Sequence, residues 1–465
     1  MTISIDPRTE ARFAKMRPLG QGLPVKVDGS QIPDGPRYSG LLQSIMLMRF
    51  RHQWIPRLRR RYGDVFSIKI LPEGRWMVFF HKPEHVREIF AGDPEIFHAG
   101  KGNAILGPVM GEHSLLLQDS SQHKRARKLL MPAFNGAALR TYESMIEGIT
   151  KTEVGSWREG QPFESLERMN ALTLEVILQV VFGVTDEQRL AEMRPLVNKT
   201  VNVSPAVFLG WGFPRLQNNG PWRRAFENQA AHDTDIYSEI AERRKAADLG
   251  SRTDVLSKLL LVRDEDDGQG ATGTGLTDEE LRDQLVTLLL AGHETTATAL
   301  AWALHELGQN PDVEKKARDA ASAGDNDYLE AVLKESMRLH PVIPMVVRHL
   351  MEPATIGGIE LPAGSNVAAS IILAHESTEN YPDSTVFRPE RFSESEVATN
   401  TWIPFGGGVR RCIGAGFSLM EGVAVLREVL STYDVALPPG TTEEAKVRNI
   451  TSVPKHGARI VVTRR

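Results

Sequence analysis

A run of about 30 residues, opened by Thr277-Asp278-Glu279-Glu280 and closed by Leu307 ahead of Gly308 and Pro311, constrains this chain more than any other stretch. Thr277 supplies an N-cap and, with Glu280, a capping box. At 1.5 Å per residue the run spans roughly 45 Å, enough to cross a large domain. Leu285 to Leu290 and Ala297 to Leu304 are apolar nearly all round, so the spacing predicts a core helix. Its centre is Ala291-Gly292-His293-Glu294-Thr295-Thr296. Burying an acid and two threonines costs several kcal/mol unless they are paired or lie beside a wet cavity. Ala291 and Thr295 share a face, and the threonine can bond back to carbonyl 291 and open the helix locally. Two readings follow: a satisfied internal hydrogen-bond network, or an acid–hydroxyl pair that delivers protons to a cavity.

The composition narrows the function classes. The 465 residues carry a net charge of −4, with 41% hydrophobic and 25% charged residues, an ordinary soluble balance. That charge argues against a general nucleic-acid binder. No unbroken apolar run approaches 20 residues, so no membrane span is expected. The amino terminus lacks a secretory pattern, which makes a cytoplasmic enzyme the default expectation. The single cysteine, Cys412, excludes an intramolecular disulfide and a multi-cysteine metal centre within one chain.

The first 35 residues, in a stretch rich in Pro and Gly, read as an extended arm lying on the body or as a partly ordered tail, and residues 36–465 as a single domain. Phe66, Ile68 and Ile70, then Trp76 to Phe80, separated by Pro72-Glu73-Gly74, predict a β-hairpin. Helical periodicity then dominates from Pro83 to about Leu339. Asp264 to Gly275 reads as an exposed loop. Beyond Pro341, short strand-like runs appear at Val346-Val347, Asn366 to Leu373 and Ala458 to Thr463. The expected class is mainly α with a minor β region.

Cys412 lies in Pro404-Phe405-Gly406-Gly407-Gly408-Val409-Arg410-Arg411-Cys412-Ile413-Gly414, a glycine-rich turn running into the amphipathic stretch Phe417 to Leu430. Next to a helix amino terminus, unpaired N–H groups and the helix dipole favour a thiolate. The glycines let the backbone approach a partner closely, a flat cofactor being one candidate. The result is an activated sulfur suited to nucleophilic attack or to metal ligation. Two other polar clusters accompany it. Glu335 and Arg338 are i, i+3 on a helix that reaches Pro341, and Arg391 follows in Pro389-Glu390-Arg391-Phe392. In Gln122 to Lys128, His123 and Arg127 share one helix face, and Lys124 and Lys128 a neighbouring one.

In this order and spacing, the four patches resemble the cytochrome P450 family of haem-thiolate monooxygenases, from about Pro36 onward. Phe405, Gly408, Cys412 and Gly414 match its Phe-x-x-Gly-x-x-x-Cys-x-Gly signature. Ala291-Gly292-x-Glu294-Thr295-Thr296 matches its oxygen-activation motif, and Glu335-x-x-Arg338 with Arg391 its structural triad. The resemblance implies a long central helix over haem b, with Cys412 as the axial thiolate on the iron. It further implies Phe405 packed near the sulfur, and His123, Arg127, Arg348 and Arg410 around the two propionates. Ala291 and Gly414 would also line the haem. Thr295 and Glu294 would steer water and protons to the reacting oxygen. Glu335, Arg338 and Arg391 would hold the fold on the cysteine side, and loss of one would strand a buried charge. The chain departs from many members after His375, with Glu376-Ser377 in place of Arg-Asp; this bears on a local salt bridge, not on the chemistry.

The segments that line the pocket in the family are apolar here: Asn103 to Gly111, Ser204 to Leu216, Val342 to Val347 and Ile450 to Val453. Val342, Ile343, Val346 and Thr451 are candidate substrate contacts. The stretch 204–216 reads as a mobile lid, with ordinary core as the alternative. A lipophilic substrate of fatty-acid, terpenoid or steroid type is implied, together with O2. The resemblance to soluble bacterial members implies electrons from a ferredoxin-type donor and its reductase, met by Lys124, Lys128 and Arg411. Alternative readings keep the haem for a peroxide-driven peroxygenase or an isomerase, or for a non-catalytic haem carrier. The last alternative is a haem-free protein with Cys412 merely buried.

Overall fold

The computed structural model describes residues 6–14, 27, 29–71, 75–201, 219–264, 274–394 and 396–465. Of the described residues, 59% are helical, with minor sheets. The chain forms two compact units, one of Met1–Leu23, His98–Thr141 and Leu174–Gly292, the other of Pro24–Phe97, Tyr142–Thr173 and His293–Arg465. Among the described residues, no single helix is long and apolar enough to cross a membrane.

The long helix forms over Asp278–Gln309. Its capping box is made as the spacing predicts: the Glu280 amide donates to Thr277 Oγ1 at 3.1 Å, and the Thr277 amide to Glu280 Oε2 at 2.8 Å. Removing the cap with Thr277→Ala leaves an orphan N–H, so denaturant unfolding should show a loss of about 1 kcal/mol. An unchanged midpoint would mean that the first turn is held by packing alone.

In the first unit, buried polar residues of this helix hold the 109–115 segment, Arg282, Asp283 and Gln284 among them. Arg282 is fully buried; it donates to Asp233 Oδ1 (2.8 Å through Nε), to Asp283 Oδ1 (2.8 Å) and to the carbonyls of Val109 and Met110. Asp283 accepts the His113 amide at 2.9 Å, and Gln284 Oε1 accepts the Leu115 amide at 3.1 Å. Gly111, at φ +87°, is required here, because a Cβ would sit 2.0 Å from Asp283 Oδ1.

Within the amino-terminal arm, Pro7–Ala14 is a helix rather than extended chain. Thr9 and Arg12 both donate to Asp233 Oδ2, at 3.0 and 2.8 Å, and Arg12 also donates to the Pro108 carbonyl at 2.9 Å. Phe13 meets the edge of Phe226, ring centroids 4.5 Å apart. These partners are distant in sequence, so local periodicity does not announce the helix.

Four strands of the main sheet lie in the second unit, in the order Phe66–Ile70, Arg75–Phe80, Asn366–Ser370, Met345–Leu350. The predicted hairpin forms with Phe66 opposite Phe79 and Ile70 opposite Arg75; its Pro72-Glu73-Gly74 turn lies outside the described residues. Arg75–Phe80 pairs parallel with Asn366–Ser370, which pairs antiparallel with Met345–Leu350. Both faces are apolar: Val78, Phe80 and Val367 pack into one buried cluster, Phe66, Phe79 and Ala368 into another. Ile371 to Leu373, expected as strand, instead start the helix Ile371–Glu376, because Ser370 accepts the Leu373 amide and caps it. The carboxyl-terminal strand forms at Arg459–Arg464. The loop expected at 264–275 is described only at its ends, and the 204–216 stretch lies outside the described residues.

Candidate functional site

The cysteine loop belongs to the second unit. The Cys412 amide donates to the Phe405 carbonyl at 2.9 Å and closes the turn. Gly406 and Gly408 have φ of +64° and +62°; a Cβ at Gly408 would lie 2.0 Å from the Phe90 carbonyl oxygen. Only glycine lets the loop lie this close to Phe90. The helix Ala415–Thr432 starts three residues after the sulfur, with Gly414 as an N-cap that offers no side-chain bond. Its first-turn amides and dipole are therefore directed toward the loop. Cys412 is exposed although Ala415 and Phe417, just beyond it, are buried. A Cβ at Gly414 would meet nothing within 4 Å. An open sulfur beside open glycine surface is what a flat, metal-centred ring would cover. Among the described residues, no three His, Cys, Asp or Glu side chains converge on a metal position. A macrocycle that brings its own four donors needs one protein ligand only, so the loop fits a haem held by its sulfur.

Phe405 is half-buried and meets the Trp402 ring edge-on, centroids 5.8 Å apart. Arg348 is buried on Met345–Leu350 and Arg410 is half-buried in the cysteine loop. In the first unit, His123 is buried and Arg127 half-buried on Ser120–Leu130, while Lys124 and Lys128 are exposed. Arg125, in the same basic run, pairs with Asp264 (2.9 Å) and Glu280 (2.6 Å) and so belongs to the fold.

The long helix stays tightly packed until its polar centre. Ala291 is exposed and Gly292 half-buried, whereas Leu285 and Val286 before them are fully buried. Beyond the unit boundary, Thr295 is half-buried and Glu294 buried. Glu294 is paired: Arg448 Nε lies 3.2 Å and the Thr451 hydroxyl 3.3 Å from its Oε1. Burial pushes the Glu294 carboxyl above its usual range, and Arg448 and Thr451 pull against that shift. His293 is held neutral, its pKa lowered to about 4 by burial and then by Arg448. Thr173 donates to the His293 carbonyl at 3.0 Å, and Thr296 shares a 3.1 Å hydrogen bond with Ser418 on the cysteine helix.

Glu335, Arg338 and Arg391 are brought together in the second unit, all buried. Arg338 grips Glu335 with two bonds, at 2.8 and 2.9 Å, and Arg391 Nε adds a third at 3.3 Å. The Arg388 amide also donates to Glu335, while Arg338 donates onward to the carbonyls of His375 and Ser384. The four candidate substrate contacts all lie in this unit. Val342 is buried and accepts the Ser452 amide at 2.8 Å; Ile343 and Val346 are half-buried; Thr451 is buried and turned to Glu294. Sequence reasoning did not find Arg448, Thr173 or Ser418, because no local spacing ties them to the long helix.

The family profile for cytochrome P450 matches residues 33–461. A protein described as cytochrome P450 135A1, from Mycobacterium tuberculosis, is 50% identical over 92% of this chain and 94% of its own length. Cytochrome P450 135B1 of Mycobacterium bovis is 40% identical over 93% of this chain and 91% of its own. Among solved structures, the retinoic acid-bound cyanobacterial CYP120A1 superposes with a TM-score of 0.81 at 24% identity, covering 96% of this chain and all of that one. The haem domain of cytochrome P450DA gives a TM-score of 0.80 at 24% identity, over 93% and 98%. The chain therefore belongs to the cytochrome P450 family. It is a haem-dependent monooxygenase that works with O2 and a redox partner.

Proposed function

We propose that the chain is a cytoplasmic haem b monooxygenase that oxidises a lipophilic small molecule with electrons from a separate ferredoxin-type donor. The observation that carries this reading is the open Cys412 sulfur on a glycine-shaped loop ahead of an uncapped helix. The haem, when bound, supplies the activation of dioxygen. Cys412 would hold it through the sulfur, and the loop glycines and Phe405 would shape its seat. His123, Arg127, Arg348 and Arg410, carried over from the family resemblance, take the propionate charges. Glu294 and Thr295 hold and move protons, and Ala291 and Gly414 leave room for the ring. Glu335, Arg338 and Arg391 brace the cysteine side.

The substrate class rests on the apolar surfaces of Val342, Ile343 and Val346, which offer a lipophilic ligand contact without an ionic anchor. Lauric acid, testosterone and all-trans retinoic acid are suitable probes of this class, and at least one should shift the iron spin state on titration. No shift with any, alongside turnover of a small polar compound, would contradict the lipophilic assignment. The donor assignment rests on exposed Lys124, Lys128 and Arg411. With an acidic ferredoxin, the triple charge reversal to glutamate should slow the second-order reduction rate by about tenfold or more at low salt, with the gap closing at high salt. Equal rates would leave these residues as solubilising charge. Turnover with peroxide but none with NAD(P)H and redox partners would favour the peroxygenase alternative.

A further inference from the structure

Arg448 and Thr451 are the last cross-strand pair of the hairpin Ala445–Arg448/Thr451–Pro454. Asn449 and Ile450 form its two-residue turn, with Asn449 at φ +54°, a conformation asparagine tolerates. So short a turn fixes the position of both residues that meet Glu294. Arg51 and His52, on the helix Gly40–Tyr62, brace the turn from behind. Arg51 donates to the carbonyls of Asn449 and Thr451, and His52 shares a 2.6 Å hydrogen bond with Ser452. The adjacent Ser452 amide donates to the Val342 carbonyl, so the same hairpin is tied to a candidate substrate segment. Arg448 is about one-third exposed, whereas Glu294 is buried. The ion pair thus runs from solvent to the polar centre of the long helix.

We propose that Arg448 is the positioning residue of proton delivery: it anchors the Glu294 carboxylate to the hairpin turn and favours its charged form against burial, so that Glu294 reloads from the solvent side between turnovers. This rests on the proton-carrying role assigned to Glu294 above. In each cycle the carboxylate takes one proton from water, leaving hydroxide to the solvent, passes it toward the Thr295 hydroxyl, and returns as carboxylate to Arg448. Among the described residues, Arg448 and Thr451 from the hairpin meet Glu294, and His293, its neighbour in the helix, also feels the charge of Arg448. His293, and His52 behind the turn, are both neutral at pH 7, each lowered to about 4 mainly by burial. Neither histidine therefore changes charge near neutral pH.

The test is an infrared pH titration of the purified holoenzyme, following the C=O stretch of protonated carboxyl, with Glu294→Gln used to assign the band. In Arg448→Gln the Glu294 band should titrate about one to three pH units higher than in the native protein, and Arg448→Lys should restore most of the difference. Arg448→Met carries the same expectation should the glutamine variant not accumulate folded. A band that titrates at the native pH in the neutral variants would overturn the proposal. So would a lysine variant shifted as far as they are, because shape rather than charge would then be at work. The proton-carrying reading has its own arm: product formed per NAD(P)H from the probe above with the largest spin shift. Native coupling in Glu294→Gln would remove that reading while leaving the titration result to stand on its own.

Discussion

Replacing Cys412 with serine should abolish NAD(P)H-driven oxygenation while leaving the polypeptide folded. The sulfur is exposed, and the contact that closes its loop is made by the backbone amide rather than the side chain. The substitution therefore removes a ligand without opening a core cavity, and the helix Ala415–Thr432 keeps its packing through Phe417, Val425 and Leu426. A hydroxyl is a far weaker electron donor than a thiolate, so the push attributed to the sulfur is lost. Turnover at background level, with a native circular dichroism spectrum, is the expected result. Activity within a few-fold of native in a haem-loaded serine variant would place the iron ligand elsewhere.

The second large effect is expected at Glu335. Its carboxylate takes two bonds from Arg338 and one each from Arg391 and the Arg388 amide, with Glu335 and Arg338 essentially inaccessible. Glu335→Gln keeps the shape but takes the carboxylate away from the buried Arg338 guanidinium and from Arg391 beside it. Stranding a buried charge costs on the order of 3–5 kcal/mol, a large share of a typical stability. Arg338 also holds the carbonyls of His375 and Ser384, so the damage should spread to the segment that leads to the cysteine loop. Soluble yield and the haem-to-protein ratio should both fall severely. A Glu335→Gln protein with native thermal midpoint and full haem content would mean that the network is dispensable. The ordinary surface-pair value of about 0–1 kcal/mol would then apply.

The features legible in the sequence are those written in local spacing. The capping box, the 32-residue helix, the Glu335–Arg338 pair and the turn before the cysteine helix each depend on residues within a few positions of one another. The Pro7–Ala14 helix was not legible, since what holds Thr9 lies 224 residues away at Asp233. Nor was the role of Thr451 at Glu294, 157 residues apart, although Thr451 itself stood out as a pocket candidate. Ile371 to Leu373 show the opposite failure. Three apolar residues carry no period that separates strand from helix, and the Ser370 cap decided the outcome. In the site, the polar centre of the long helix was visible as an anomaly. Its counter-ion was not, because an arginine in a hairpin has no sequence relation to a distant buried acid.

The central claim is a thiolate-ligated haem on Cys412, and the most direct measurement is the absorption spectrum of the purified, reduced protein under carbon monoxide. A strongly red-shifted Soret band, absent from Cys412→Ala, is the predicted result. A band at the position typical of histidine-ligated haem, or one that survives Cys412→Ala unchanged, would contradict it.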